Sequence, residues 1–307
     1  VKSESRLEKV LGAGHFAVTA ECGPPKGSDV AALQEKAAFL VGKVDAVNVT
    51  DNQTAIVRMS SLAACAILER QGLEPILQMV TRDRNRIALQ SDIFGAYALG
   101  IHNVLCLTGD HQSFGNQKEA VGVFDLDSIQ LVSTVRAMRD QGQIIGGEAI
   151  QGAPKMFIGA AENPFADPVS WRVFRLAKKV DAGVDFIQTQ CIYNMEKFEA
   201  FMKQAVDMGL TEKVSILAGI TPLKSVGMAK YMANKVAGMD IPEAMIARLA
   251  GVPKEKQADE GIKMAVETIE QVRGIKGVAG VHLMAIEWES KVPEILAAAG
   301  LDKRPEV

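Results

Sequence analysis

Eight short apolar runs, each followed by an amphipathic stretch, recur along this chain, and that alternation limits it to a parallel sheet wrapped in helices. The runs are Phe16 to Glu21, Asp45 to Thr50, Pro75 to Val80, Asn103 to Thr108, Lys155 to Ala161, Val184 to Gln190, Val214 to Ile220 and Gly277 to Ala285. Helical periodicity fills the gaps over 29–41, 54–71, 86–99, 127–139, 170–180, 195–208 and 223–235, and a helix-rich insertion over 241–273 precedes the last strand. Eight βα units in 307 residues predict an α/β fold, a (β/α)8 TIM barrel, with residues 1–307 forming one domain. An open doubly wound sheet is the alternative. The first strand, however, is not followed by the G-x-G-x-x-G with which such a sheet holds a dinucleotide.

Charge and cysteine usage remove several function classes. A net charge of -3 without a basic run leaves no electrostatic footprint for nucleic acid. Val1 to Arg6 lacks the apolar core of a signal peptide, and no run approaches the roughly 18 apolar residues of a membrane span, so a cytoplasmic protein without a membrane partner is expected. Cys22, Cys65, Cys106 and Cys191, like His15, His102, His111 and His282, stand singly, without the paired spacings of a metal or redox site. No metal is expected.

In a parallel barrel the chemistry collects at the C-terminal ends of the strands. Glu21 closes the first run immediately before Gly23-Pro24-Pro25, which cannot continue a sheet ladder. A glutamate that merely caps or ion-pairs a loop is the competing reading. The other strand ends carry Thr50, Gln78, Thr81, Thr108-Gly109-Asp110, Glu162-Asn163, Gln188 and Gln190. Gln188 and Gln190, two apart, share one face of a buried strand; buried amides need partners, and a heterocyclic ligand is expected to supply them for at least one. The polar, glycine-bearing stretch from His111 to Gly122 is expected to be a mobile loop over the catalytic face.

Five segments carry a resemblance. Ala20-Glu21-Cys22-Gly23-Pro24-Pro25-Lys26, Val47-Asn48-Val49-Thr50, Leu107-Thr108-Gly109-Asp110, Lys179 to Phe186 running into Thr189-Gln190, and Gly219-Ile220-Thr221-Pro222 resemble, in order, the signature of the methylenetetrahydrofolate reductase family. The similarity covers nearly the whole chain, including the helix at Ile241-Pro242 and the strand Gly280-Val281-His282-Leu283. The resemblance implies a flavin-dependent barrel that reduces 5,10-methylenetetrahydrofolate to 5-methyltetrahydrofolate by a ping-pong route, with hydride passing from flavin N5. It implies Glu21 as the general acid that opens the folate ring, Asp110 beside flavin and pterin, and Gln190, with Thr50, on the folate. It places Thr50, Gln78, Thr108, Gly109, Asp110, Asp127, Ala161, Asn163 and Lys179 at flavin-contacting positions, with Lys179 at the phosphates. FAD is the implied cofactor and FMN its alternative. The implied electron donor is NAD(P)H or a redox partner subunit, an iron-sulfur protein among the candidates, within a homo- or hetero-oligomer.

The reaction asks for the same residue types on chemical grounds. Ring opening needs a proton on a weakly basic nitrogen near neutral pH, which suits an acid whose pKa is lifted by an apolar strand end. A carboxylate such as Asp110 near the flavin would disfavour its anionic reduced form; a turn-forming Gly-Asp is the competing role. The chain departs from the common pattern at Thr108, where an Arg is frequent, at Gln78 for His, at Asn163 before Pro164 for Tyr, and at Trp288 for Arg. These changes fall on cofactor and electron-donor contacts and spare the acid. A pterin-binding methyltransferase barrel and a non-catalytic folate-binding subunit are the rival classes.

Overall fold

The apolar runs form eight strands: β1 (Ala17–Cys22), β2 (Ala46–Val49), β3 (Pro75–Val80), β4 (Asn103–Leu107), β5 (Phe157–Glu162), β6 (Phe186–Cys191), β7 (Ser215–Ile220) and β8 (Val278–Leu283). In a computed structural model, which describes residues 1–236 and 238–307, they close in sequence order into an all-parallel barrel. Closure pairs β1 with β8, Ala17 opposite Gly280 and Ala20 opposite Leu283. The (β/α)8 expectation holds.

Helices pack around the strands: α1 (Arg6–Gly12), α2 (Val30–Ala38), α3 (Ser61–Arg70), α4 (Arg86–Ala98), α5 (Ser128–Asp140), α6 (Arg172–Ala182) and α7 (Met195–Asp207). The run at 223–235 is α8 (Val226–Lys235), the expected insertion over 241–273 is α9 (Glu243–Ala250) and α10 (Gln257–Arg273), and α11 (Val292–Ala298) follows β8. Two departures have plain causes. The stretch 54–71 becomes helical only at Ser61, because Asn52, Thr54 and Ala55 take left-handed backbone angles and Ser60 then caps α3 by accepting from the Ala63 N–H. The unanticipated α1 and α11 have 7 residues each, too few to show a helical period.

Alternation along the strands sorts side chains into two cores. One lies between strands and helices. The other fills the barrel: Ala17, Ala46, Ile76, Leu105, Phe157, Phe186 and Leu217, one from each of seven strands, form an apolar storey plugged from below by Leu7 and Val10 of α1. The Phe157 and Phe186 rings stack 5.2 Å apart there. Gly159 makes room for them, since a Cβ at that position would lie 2.3 Å from the Phe186 ring. Two residues further along their strands, Thr19, Asn48, Gln188 and His282 form a polar storey, all buried. Above it the barrel opens.

Candidate active site

A cavity of about 340 Å³ occupies the C-terminal mouth, with Glu21 of β1, Gln78 of β3, Thr108 after β4, Ala161 of β5, and Gln190 of β6 on its walls. A larger depression, about 680 Å³, lies at the opposite end, but its charges are spent on structure. There Asp45 accepts from the Val18 N–H and pairs with Arg304, and Glu74 accepts from the Arg6 and Leu7 N–H groups. The mouth is the candidate site.

Glu21 points inward from the last turn of pleat in β1, because it shares a face with Ala17 and Thr19. Removal from water raises its carboxyl pKa to about 7, the negative charge of Glu289 adds to the rise, and Gln53 and Arg58 oppose it. A carboxyl in that range can give a proton near neutral pH.

The cavity floor is the polar storey. The Asn48 and Gln188 amides pair reciprocally, at 2.6 and 2.9 Å, and Gln188 Nε2 also donates to Thr19 Oγ1 at 3.0 Å. Gln188 therefore finds its partners inside the protein, and the ligand expected for these two amides falls to Gln190. Gln190 Oε1 accepts from the Cys191 N–H at 3.0 Å and from its Sγ at 3.4 Å, while Nε2 makes no hydrogen bond among the described residues.

One wall is cationic. Arg172, Arg175 and Lys179 all line the cavity and follow i, i+3, i+7 spacing on α6, so they form one stripe. Side chains on a helix lean toward its N-terminus, here the barrel mouth, which carries the Lys179 amine up to Glu162 Oε2 at 2.6 Å and the Ala161 carbonyl at 2.5 Å. Lys179 is 4% exposed and so is no solvated helix-end lysine; burial lowers its pKa, against the pull of Glu162. The Arg172 guanidinium is held by the Ala166 and Asp167 carbonyls. Arg175 is exposed and has no hydrogen bond or ion pair among the described residues, which leaves it the free cation of the stripe.

The remaining sequence candidates divide. Asn163 lines the cavity but uses its amide on the Gly238 carbonyl and the Phe165 N–H. Thr108 Oγ1 accepts from the Ser128 N–H at 3.1 Å, which puts the start of α5 at the cavity edge. Thr50, Gly109, Asp110 and Asp127 lie outside the lining. Thr50 is buried with its hydroxyl unpartnered. Gly109 turns the chain at φ +89°, against Val80, and Asp110 beyond it is exposed. Asp127 caps α5, exchanging hydrogen bonds with Gln130 in a capping box. The 111–122 stretch packs on the 53–57 turn, where the Val57 N–H donates to Asn116 Oδ1 at 3.1 Å, and none of its residues lines the cavity. Trp288 carries the Lys224 amine over its ring at 5.3 Å, so a cation stands beside that position.

Sequence reasoning missed Arg172, Arg175, Ser128, Thr19 and His282. The i, i+3, i+7 cations were a usable signal, and so was inward alternation, which sets Thr19 below Glu21. Among the described residues no group of three or more His, Cys, Asp or Glu side chains could hold a metal, and no helix is long and apolar enough to cross a membrane.

The family model described as methylenetetrahydrofolate reductase matches residues 6–300. The chain is 25% identical over 249 residues to the "Probable methylenetetrahydrofolate reductase (NADPH)" of Caenorhabditis elegans, covering 80% of this chain and 35% of that protein. It is 22% identical over 222 residues to the 5,10-methylenetetrahydrofolate reductase of Salmonella typhimurium, covering 72% of this chain and 68% of that one. It spans about a third of the length of the first curated relatives it matches. In three dimensions it is similar, at TM-score 0.64 and 14% identity over 97% of this chain and 98% of the other, to an uncharacterized protein from Clostridium thermocellum that binds two copies of 5-methyl-5,6,7,8-tetrahydrofolic acid.

Proposed function

The chain belongs to the methylenetetrahydrofolate reductase family, and from that premise we propose that residues 1–307 act as one catalytic domain that reduces 5,10-methylenetetrahydrofolate to 5-methyltetrahydrofolate. The observation that carries the proposal is the placement of the Glu21 carboxyl at the open end of a barrel whose floor is built of hydrogen-bonding groups, where removal from water raises its pKa to about 7. Glu21 holds the proton that the folate's five-membered ring needs in order to open. Gln190, its oxygen engaged by Cys191, offers Nε2 to an acceptor on the pterin. Leu107 and Met284 supply apolar walls for a flat ring. A folate bound in the structural relative supports the substrate class.

The residues present fit a flavin, as FAD or FMN. Its phosphates would be held by three features: the free Arg175 guanidinium, the hydroxyl-bearing start of α5 at Ser128, and Thr108. Thr50, Gln78, Thr108, Gly109, Asp110, Ala161 and Asn163 would hold the ring and ribityl chain, and Lys179, with Asp127 at the α5 cap, would act at the phosphate end through Glu162 and the helix terminus. When bound, the flavin supplies the hydride. NAD(P)H or a redox partner subunit in a homo- or hetero-oligomer is the proposed electron source.

The absorption spectrum of the purified protein tests this. A yellow protein that bleaches on reduction and regains its colour when methylenetetrahydrofolate is added is the expected result. A colourless protein that takes up neither FAD nor FMN overturns it in favour of a methyltransferase barrel or a folate-binding subunit.

A further inference from the structure

We propose that His282 is a hydrogen-bond donor in the cavity floor, its ring proton placed on Nε2 by a chain of side chains that crosses the barrel from Asn48. The order of protons follows from the orientation of the Asn48 and Gln188 amides, since turning both over together would reverse it. Asn48 Nδ2 donates to Gln188 Oε1 at 2.6 Å, and Gln188 Nε2 returns one proton to Asn48 Oδ1 at 2.9 Å. Its second proton goes to Thr19 Oγ1 at 3.0 Å. The Thr19 oxygen accepts there, so its own O–H is free to donate. Two acceptors are within reach: His282 Nδ1 at 2.9 Å and the Val281 carbonyl at 3.5 Å, the limit for such a bond. The nearer one takes it. A ring that accepts at Nδ1 carries its proton on Nε2.

Three further observations give that proton a use. His282 is 3% exposed and lines the cavity, and its Nε2 has no partner among the described residues. Burial pushes its pKa down to about 3, so the ring is neutral across the working range and offers one donor, not two. Thr19 and His282 are direct partners across the β1–β8 seam, which fixes the ring's height in the barrel. A neutral N–H at the base of the cavity is satisfied by a ring nitrogen or carbonyl oxygen of a bound heterocycle. Flavin and pterin both carry such atoms. The donor role therefore rests on the reading of the cavity given above, whereas the tautomer does not.

Nitrogen-15 NMR of the full-length protein, with the His282 signals identified by their loss in His282→Gln, tests both halves. The Nε2–H tautomer is expected, retained in Thr19→Ser and lost as a single state in Thr19→Val. FAD, FMN and 5-methyltetrahydrofolate are then added separately, and the one that meets the ring shifts the Nε2 signal. His282→Phe should weaken that ligand, and only that one, about tenfold, the loss of one hydrogen bond. An Nδ1–H ring overturns the proposal outright. An Nε2–H ring undisturbed by any ligand that the protein demonstrably binds overturns the donor role. A protein that binds none of the three fails the reading of the cavity and takes the donor role with it, while the observed tautomer still decides the proton order.

Discussion

The side-chain oxygen of Gln190 lies 3.0 Å from the backbone N–H of its own neighbour Cys191. A backbone N–H can only donate, so this contact fixes which end of the amide faces inward. The cavity receives Nε2 and its protons. The Cys191 thiol adds a second donor to the same oxygen and is itself 3.0 Å from Thr221 Oγ1.

Gln190→Glu keeps the acceptor that Cys191 uses and replaces the donor with an acceptor. Folate binding should weaken about tenfold or more, because a buried acceptor on the ligand is left facing an acceptor, at about 1–3 kcal/mol. The donor half-reaction should change little. Stopped-flow measurement of each half-reaction checks this; equal slowing of both would assign Gln190 to the general shape of the pocket.

Glu21→Gln should retain flavin and its reduction by the donor, and lose folate reduction by about a hundredfold or more, as expected for a general acid. It should also change stability with pH. The folded carboxyl binds its proton up to about pH 7, above its unfolded value, so wild-type stability falls as pH rises from about 4.5 to 7. The glutamine variant lacks that fall. Urea titrations of both proteins at pH 5 and pH 8 would expose it.

Glu289 is buried, and its charge helps to lift Glu21. Glu289→Gln should therefore lower the Glu21 pKa. Since the acid form is the one that delivers the proton, the alkaline limb of the folate half-reaction should move to lower pH. An unmoved limb would place the whole rise on burial.

Lys179 and Arg175 should separate stability from cofactor retention. Lys179→Ala strands a buried Glu162 carboxylate, at a cost of about 3–5 kcal/mol. Lys179→Met with Glu162→Leu should recover most of it. Arg175→Ala, at an exposed unpaired site, should leave the denaturation midpoint unchanged and make flavin retention on gel filtration weaker. Flavin loss in the Lys179 variant alone, without unfolding, would reverse these assignments.

The barrel was legible because parallel strands buried on both faces read as continuous apolar runs, as Pro75–Val80 does with all six residues buried. Short capping pieces such as Arg6–Gly12 carry no period to read. At the site, residue types were visible but their partners were not. Lys179 showed as a cation, yet its pairing with Glu162 exists only once α6 is laid against the end of β5. Gln188 showed as a buried amide, but its partner Asn48 lies 140 positions away. His282 looked like one of four isolated histidines until β8 closed against β1.

The polar storey also acts on how the chain assembles. Its four members come from β1, β2, β6 and β8: the amide pair needs β2 and β6, Gln188 reaches Thr19 only with β1 in place, and the Thr19 hydroxyl meets His282 only when β8 closes. A slip of one residue would turn a member out of the barrel; a slip of two would keep it inside and break its bonds. Barrels with β1, β2 or β6 misplaced would thus bury orphaned amides, and fragments lacking the last strand would leave the Thr19 hydroxyl without its histidine partner. The storey serves as a combination lock on closure, penalising every arrangement but one.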